Sequence, residues 1–230
     1  MLTARDRAIT DWIGRLGAAG VTHVERRCGL SRRTAYRRLG ALVDARLLTR
    51  RAVLYREPSL YLATAAGLRY CELQHLGVPR IGPGSFRHAC QLAGVAAELA
   101  QGLAGWRILS ERELRAEEAR RDGLVGSVWV RQGARVLHRP DLVLVSPAGR
   151  VTAVEVELSL KAPRRLEAIC AAWSRALHVD AVYYLAAGLA GRGVARAVAR
   201  TRAEQAVRVL ALHDTATLLA LERAQAHARR

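Results

Sequence analysis

Hydrophobic and acidic positions alternate along residues 151–158, in the second half of the chain. Glu155 and Glu157 stand between aliphatic residues in the segment VTAVEVEL. A period of two is typical of a strand, and it places both glutamates on one face and the aliphatic side chains on the other. An apolar run over residues 142–145 precedes this segment and predicts a second strand, which begins beside Asp141.

The five residues between these two runs, SPAGR, predict a tight turn. Pro147 suits the first position of a type I turn, and Gly149 suits a left-handed third position. Such a loop places Asp141 opposite Glu155, and directly opposed residues point to the same side of a sheet. We therefore expect Asp141, Glu155 and Glu157 on one face, where their mutual repulsion favours a hard divalent cation. The alternative is the solvated face of an ordinary hairpin.

The first third of the chain has the helical period instead. Residues 3–17, 21–27 and 32–45 repeat apolar side chains at helical spacing, and Gly29 and Ser31 supply a turn and an N-cap before the last of them. A helix, a glycine turn and a helix with an arginine-rich N-terminal half are typical of a helix-turn-helix. The side chains expected to reach bases and phosphates are Arg32, Arg33, Tyr36 and Arg37.

Two short strand-like runs, residues 47–53 and 59–64, follow the third helix and predict a two-stranded wing. Arg50, Arg51 and Arg56 lie in or between these runs, so they are expected near the backbone of a bound duplex. The alternative for this whole region is a small helical domain whose arginines are only solvated.

Composition divides the chain after a helix expected over residues 65–75. Residues 77–85 hold three glycines and two prolines, too many for a regular element, and predict a linker. We therefore expect a DNA-binding domain over residues 1–76 and a second domain over residues 86–230.

Helical and strand-like segments succeed one another in the second domain. In order, the expected elements are a helix over 86–103, a strand over 106–109, a helix over 111–121, a strand over 127–131, the carboxylate hairpin, a helix over 163–177, a strand over 179–185, a helix over 189–201, a strand over 207–212 and a helix over 215–226. This order favours a mixed sheet flanked by helices, an α/β core.

The net charge of the chain indicates the kind of partner that it binds. The 230-residue chain has a formal net charge of +17 and a pI of about 11.2. Residues 1–75 hold 14 basic and 6 acidic side chains and the remainder 23 and 14, so both parts should attract a polyanion, most simply nucleic acid. Lys161 is the only lysine, which is either chance in an arginine-rich chain or a position that requires a compact ammonium.

The remaining composition favours a cytoplasmic protein without a membrane partner. The four cysteines are scattered without paired spacing and are typical of buried free thiols in a reducing compartment. No segment is apolar for long enough to span a bilayer, and the first residues lack a signal-peptide pattern.

Three segments, FRHACQLAGVAAEL, HRPDLVLV and VEVELSLKAPRRLEAI, resemble blocks of the replication-relaxation family of bacterial plasmid and mobile-element proteins. The resemblance covers about residues 5–215, and it implies a winged helix-turn-helix followed by a PD-(D/E)XK nuclease-like α/β core. In that superfamily, the aspartate and glutamate of the motif bind a divalent metal that activates water. Here the resemblance assigns the binding of Mg²⁺ or Mn²⁺ to Asp141, Glu155 and Glu98.

One position departs from the superfamily pattern. The superfamily lysine falls at position 157, where this chain has Glu157. Three alternatives follow: Glu157 orients water or binds a second metal, Lys161 folds back to replace the lysine, or the site is degenerate. The candidate catalytic set is Asp141, Glu155, Glu157 and Lys161. Arg164 and Arg165, at the start of the next helix, are candidates for phosphate contact, and His138 is a weaker one.

The resemblance implies a DNA-binding protein of a plasmid or mobile element that supports nicking or relaxation in replication or transfer, with the second domain as a metal-dependent endonuclease. The alternative is a non-catalytic transcriptional regulator whose degenerate nuclease fold serves dimerisation or sensing. Glu157 in place of the lysine favours the regulator, whereas three in-register carboxylates favour the enzyme. The expected partners are double-stranded DNA, a relaxase or replication protein, and a second copy of the chain.

Overall fold

A computed structural model describes residues 2–132 and 134–228 of the chain. The protein is mixed α/β and divides into two compact units, one ending at Gln101 and the other beginning at Gly102. The division differs from the expected linker at 77–85, because the helix that follows this linker packs mostly within the first unit. In the described parts, no helix is both long and apolar enough to cross a membrane.

The first unit consists mainly of helices and carries one small sheet. Its elements are α1 (Ala4–Leu16), α2 (Val21–Cys28), α3 (Arg32–Asp44), β1 (Leu48–Arg51), β2 (Leu60–Ala63), α4 (Ala65–Tyr70), a 3₁₀ turn (Gln74–Leu76) and α5 (Pro83–Gly102). Strands β1 and β2 pair antiparallel, and a bridge between Ala19 and Tyr61 joins the α1–α2 connection to β2.

Local chemistry explains where the first helices begin. The side chain of Thr3 accepts a hydrogen bond from the Asp6 N–H, and the Asp6 carboxylate accepts one from the Thr3 N–H in return, a capping box for α1. Ser31 caps α3 by accepting from the Thr34 N–H. Gly29 has a positive φ of 60° between α2 and α3, a conformation that glycine adopts without steric cost.

Two expectations for this region are corrected by the structure. The helix expected over 65–75 ends at Tyr70, and Glu72 has a positive φ of 62°, which a helix cannot contain. The expected linker ends early, because α5 begins at Pro83 rather than Phe86. The Phe86 side chain is 2% exposed and packs with Leu60 and other apolar residues of the first unit. This contact explains why α5 packs against the first unit.

The second unit is a sheet covered by helices. Its elements are β3 (Arg107–Ser110), α6 (Glu111–Arg121), β4 (Val128–Gln132), β5 (Ala134–His138), β6 (Leu142–Val145), β7 (Val151–Glu157), α7 (Pro163–Trp173), β8 (Ala181–Ala186), α8 (Gly188–Thr201), β9 (Val207–Ala211) and α9 (Thr215–Ala228). Strand β5, which the sequence reasoning missed, pairs antiparallel with β4.

The main sheet has the order β3-β6-β7-β8-β9 and is mixed. Strands β3, β6 and β7 are antiparallel neighbours, whereas β7, β8 and β9 run parallel. Helices α7 and α8 are the crossovers between the parallel strands, and both pack on the face of the sheet that carries Ala153 and Tyr184. That face also carries Glu155 and Glu157, because alternate residues of a strand share a face.

The hairpin between β6 and β7 confirms the predicted register. Val145 pairs with Val151, and the backbone N–H of Ser146 donates to the Arg150 carbonyl at 2.9 Å. Gly149 has a positive φ of 81°, as the turn prediction requires. The expected α/β class with a mixed sheet is therefore present.

Candidate functional site

The predicted carboxylates lie at one end of the β6–β7 hairpin. Asp141 immediately precedes β6, and one of its carboxylate oxygens, Oδ2, accepts a hydrogen bond from the Val156 N–H of β7 at 2.7 Å. Glu155 and Glu157 lie two residues apart in β7, and each is only 4% exposed. The hairpin thus holds Asp141 against the strand that carries both glutamates, and two of the three carboxylates are buried.

Lys161 folds back towards this strand. Its ammonium forms an ion pair with the Glu157 carboxylate, four residues earlier in the chain. Burial alone would lower the pKa of Lys161, but attraction to Glu155, Glu157 and Asp141 outweighs burial and raises it. The lone lysine is therefore held as a cation close to all three carboxylates. This is the geometry required by the alternative in which Lys161 folds back to replace the superfamily lysine.

His138 belongs to this cluster, whereas the sequence indicated it only as a weaker candidate for phosphate contact. Its Nε2 atom lies 2.6 Å from Oε1 of Glu155, and its ring meets the Trp173 ring edge-on with centroids 5.8 Å apart. Strand β5 ends at His138, so the β4–β5 hairpin positions the imidazole. A lone histidine ahead of a Pro-Asp pair gave no signal for this contact, since it depends on a strand that was not expected.

The environment of Glu155 combines burial with charge. Burial raises the pKa of Glu155, the charge and hydrogen bond of His138 oppose this rise, and repulsion from Asp141 adds to it. The repulsion among carboxylates that the sequence predicts therefore contributes to the raised pKa of Glu155, but desolvation is the larger cause.

The donor set of the cluster suits a hard divalent cation in its chemistry, because carboxylate oxygens are the ligands that Mg²⁺ prefers. His138 and Lys161 already engage Glu155 and Glu157, so a bound ion would have to displace or share these contacts. Within residues 2–132 and 134–228, no three His, Cys, Asp or Glu side chains form a ready-made group for a metal. The metal role of Asp141 and Glu155 stays a prediction.

Glu98, the third predicted metal ligand, has another partner. It lies in α5 of the first unit, where its carboxylate forms an ion pair with Arg26 of α2. This contact joins α5 to α2 and gives Glu98 a structural partner. Its assignment rested on the family resemblance alone.

The predicted DNA-contacting residues of α3 lie on one exposed face of the helix. Arg33, Tyr36 and Arg37 are exposed, whereas Ala35 and Leu39 are fully buried in the core of the first unit. The predicted face of α3 is therefore available to a partner. The guanidinium of Arg32, also exposed, lies 5.8 Å from the centroid of the Tyr36 ring.

The β1–β2 hairpin presents further arginines. Arg50 and Arg51 are exposed in β1. Arg56 lies in the loop between the strands, 5.4 Å from the ring centroid of Tyr55, and that tyrosine is 87% exposed. The loop thus carries an exposed aromatic ring beside a guanidinium, a combination suited to contact with a nucleic acid backbone or sugar.

Among the described residues of the first unit, some arginines form ion pairs with carboxylates and others, on α3, on the hairpin and elsewhere, do not. Four arginines form ion pairs with carboxylates: Arg7 with Glu72, Arg15 with Asp11, Arg26 with Glu98 and Arg38 with Asp6. In the described part of the chain, no ion pair with a carboxylate involves Arg32, Arg33, Arg37, Arg50, Arg51 or Arg56. The positive charge of these six arginines is therefore not neutralised by an ion pair among the described residues.

Arg164 and Arg165 lie where the sequence expected them, exposed in the first turn of α7. Pro163 occupies the first helical position, and the N-cap residue Ala162 makes no side-chain hydrogen bond to the helix. Two guanidiniums thus adjoin the positive end of a helix dipole, a few residues after Lys161.

Comparisons with protein-family models, with curated proteins and with solved structures gave no match to this chain. The resemblance to the replication-relaxation family therefore stays a prediction from the three sequence segments that carry it.

Proposed function

We propose that the protein binds duplex DNA through its first unit, with α2 and α3 acting as a helix-turn-helix and the β1–β2 hairpin as a wing. The observation that carries the proposal is the set of exposed arginines on α3 and the hairpin without a carboxylate partner, beside others that are paired. Exposed guanidiniums without counter-charges attract phosphates at long range. Helix α3 would enter the major groove, and the hairpin would follow the backbone.

The roles of these side chains differ within the proposal. Arg33 and Arg37 lie on the exposed face of α3 near its N-terminal end, the part of a recognition helix that meets base edges. A guanidinium that binds guanine through two hydrogen bonds contributes about 1–3 kcal/mol of discrimination. Arg50 and Arg51 are assigned to phosphates, which position the protein without reading sequence.

The experiment that tests this proposal is selection of a binding site from random duplexes, followed by affinity measurements on variants. Arg33→Ala and Arg37→Ala should weaken binding and relax the selected sequence. Arg7→Ala is the matched control, because Arg7 is an exposed arginine of the same unit whose charge is paired with Glu72. Equal behaviour of all three variants and the wild type would contradict the proposed face.

A second candidate function is metal-dependent cleavage of one DNA strand by the second unit. The observation that favours it is the convergence of Asp141, Glu155, Glu157 and Lys161. Asp141 and Glu155 would hold Mg²⁺ or Mn²⁺, which supplies an activated water and neutralises the departing phosphate. Lys161 would place its ammonium beside the phosphate, and Glu157 would hold that ammonium in position. In this proposal the protein serves a plasmid or mobile element, together with a relaxase or replication protein.

A supercoiled-plasmid nicking assay with either ion tests the second candidate. Asp141→Asn should abolish nicking and any metal-dependent rise in melting temperature, while the amide oxygen can still accept the Val156 N–H. Asp122→Asn, an exposed aspartate of the same unit, is the control. A wild type without nicking and without a metal-dependent melting shift would favour the alternative, a non-catalytic DNA-binding regulator.

A further inference from the structure

Helices α7 and α8 of the second unit carry a strong excess of positive charge. Helices α7 and α8 pack side by side over one face of the sheet, and Glu167 is their only acidic residue. Their five arginines are Arg164, Arg165, Arg192, Arg196 and Arg200. All five are exposed, so this layer presents almost only positive charge to solvent.

Helix α8 arranges three of these arginines in a row. Arg192, Arg196 and Arg200 are spaced four residues apart, so they lie on one side of the helix. Eight residues of α-helix span roughly 12 Å, which is the length of this row. The opposite side of α8 packs into the core through Val194, Ala197 and Val198, so the row faces away from the sheet.

The charge of this row is mostly unneutralised. Arg200 donates to Glu167 of α7 at 2.9 Å, an ion pair that ties the two helices together. Among the residues that the structure describes, neither Arg192 nor Arg196 pairs with a carboxylate. The exposed residue between them is Ala195, which has a small side chain, and Leu189, one turn before Arg192, is 65% exposed on the same side of the helix.

The row also lies beside the connection that carries the lysine. Gly193 of α8 faces Leu160, and a Cβ atom on Gly193 would lie 2.5 Å from the Leu160 side chain. Lys161 is the next residue, and the arginines of the first turn of α7 follow. The turn of α8 that carries Arg192 and Arg196 therefore packs against the segment that joins the carboxylate strand β7 to α7.

We propose that the exposed side of α7 and α8 is a second DNA-binding surface, which binds the phosphate backbone of duplex DNA without reading its sequence. A row of guanidiniums along one side of a helix complements a backbone that carries one negative charge for about every 1.7 Å of duplex axis. This surface adds to the proposed role of α3 and does not depend on it, because it belongs to a different unit.

The expected effect is measurable as a salt dependence. Each phosphate neutralised by a protein cation contributes about −0.9 to the slope of log affinity against log salt concentration. Replacing Arg192 and Arg196 by alanine should therefore make that slope less steep by about 1.8. The loss of affinity should be the same for every duplex sequence, because phosphates carry no sequence information.

The test uses the full chain and compares R192A/R196A with R192K/R196K and with R115A. The lysine variant keeps both charges and should retain most of the wild-type slope. Arg115 is an exposed arginine of the same unit whose charge is paired with Glu111, so R115A should bind like the wild type. Alanine is favourable in helices, and melting curves should show that each variant is folded.

An unchanged slope in folded R192A/R196A would overturn the second surface. Measuring R33A/R37A in parallel separates this outcome from failure of the proposed function. If α3 has no role, R33A/R37A will bind like the wild type while R192A/R196A still weakens binding. If the second surface has no role, the reverse pattern will appear, and a wild type without duplex affinity would overturn both proposals.

Discussion

His23 should make the first unit sensitive to acid. Its Nδ1 atom accepts a hydrogen bond from the Gly20 N–H at 2.9 Å, at the start of α2. An imidazole that accepts through Nδ1 must be unprotonated there. Burial first, and repulsion by Arg26 second, lower the pKa of His23 to about 4.

The direction of the pH effect follows from this lowered pKa. The folded-state value lies below the ordinary 6.5, so the unfolded chain binds the proton more readily than the folded one. The stabilisation is complete above pH 6.5 and is lost as pH falls towards about 4. At about 1.36 kcal/mol per pKa unit this amounts to at most roughly 3 kcal/mol of unfolding free energy, and less if solvent screens the partly exposed ring.

The assay is urea unfolding between pH 4 and pH 7, with the imidazole of His23 followed by NMR. His23→Gln should remove most of the pH dependence, because glutamine can accept the same Gly20 N–H and does not titrate. His75→Gln, at an exposed histidine of the same unit, should leave the pH dependence intact. A His23 imidazole that titrates near 6.5 in the folded protein would refute the reasoning.

Three further predictions concern stability. Glu222 is fully buried and accepts hydrogen bonds from Arg150 Nε at 3.2 Å and from the Thr152 hydroxyl at 2.9 Å, so Glu222→Leu, which removes the acceptor of both, should cost about 3–5 kcal/mol in urea unfolding. Adding Arg150→Met and Thr152→Val, which removes both donors, should recover part of that loss, and no recovery would contradict the buried network. Gly40→Ala should raise the melting temperature by an amount equivalent to roughly 0.5–1 kcal/mol, because a Cβ there meets nothing within 4 Å; a lower melting temperature would contradict this. A fragment of residues 1–101 should give a cooperative melt by circular dichroism and residues 1–76 should not, since the shorter one lacks α5; equal melts would show that α5 is dispensable.

Local features of the second unit were predictable from sequence because they depend on neighbouring residues. The register of the β6–β7 hairpin follows from Pro147 and Gly149 in a three-residue loop, and the structure has this register. Alternation alone placed Glu155 and Glu157 on one face. These steps required no knowledge of which other elements pack on the sheet.

Contacts between distant segments were not predictable in this way. The bond between His138 and Glu155 requires β5, whose short sequence ARVLH has no clear alternation. The buried pair of Arg150 and Glu222 joins residues that are 72 positions apart. The sequence around Arg150 and Glu222 does not distinguish them from the many solvated arginines and glutamates of the chain. Only the packed structure shows that these two side chains are buried together.

The boundary between the two units was also not predictable from local sequence. Glycine and proline indicate where regular structure is interrupted, and residues 77–82 do lack a helix or strand. They do not indicate whether the helix that follows packs on the unit before the interruption or on the unit after it. That choice follows from apolar contacts such as Phe86 against Leu60, which composition does not reveal.

The central claim, that the unpaired arginines of α3 and the β1–β2 hairpin bind duplex DNA, is tested most directly by the affinity of the full chain for a duplex at increasing salt. If about six phosphates are engaged, affinity should fall by roughly 10³ between 50 and 200 mM salt. R33A/R37A should bind more weakly and with a shallower slope than the wild type. An affinity that does not change with salt, or no affinity for any duplex, would contradict the claim.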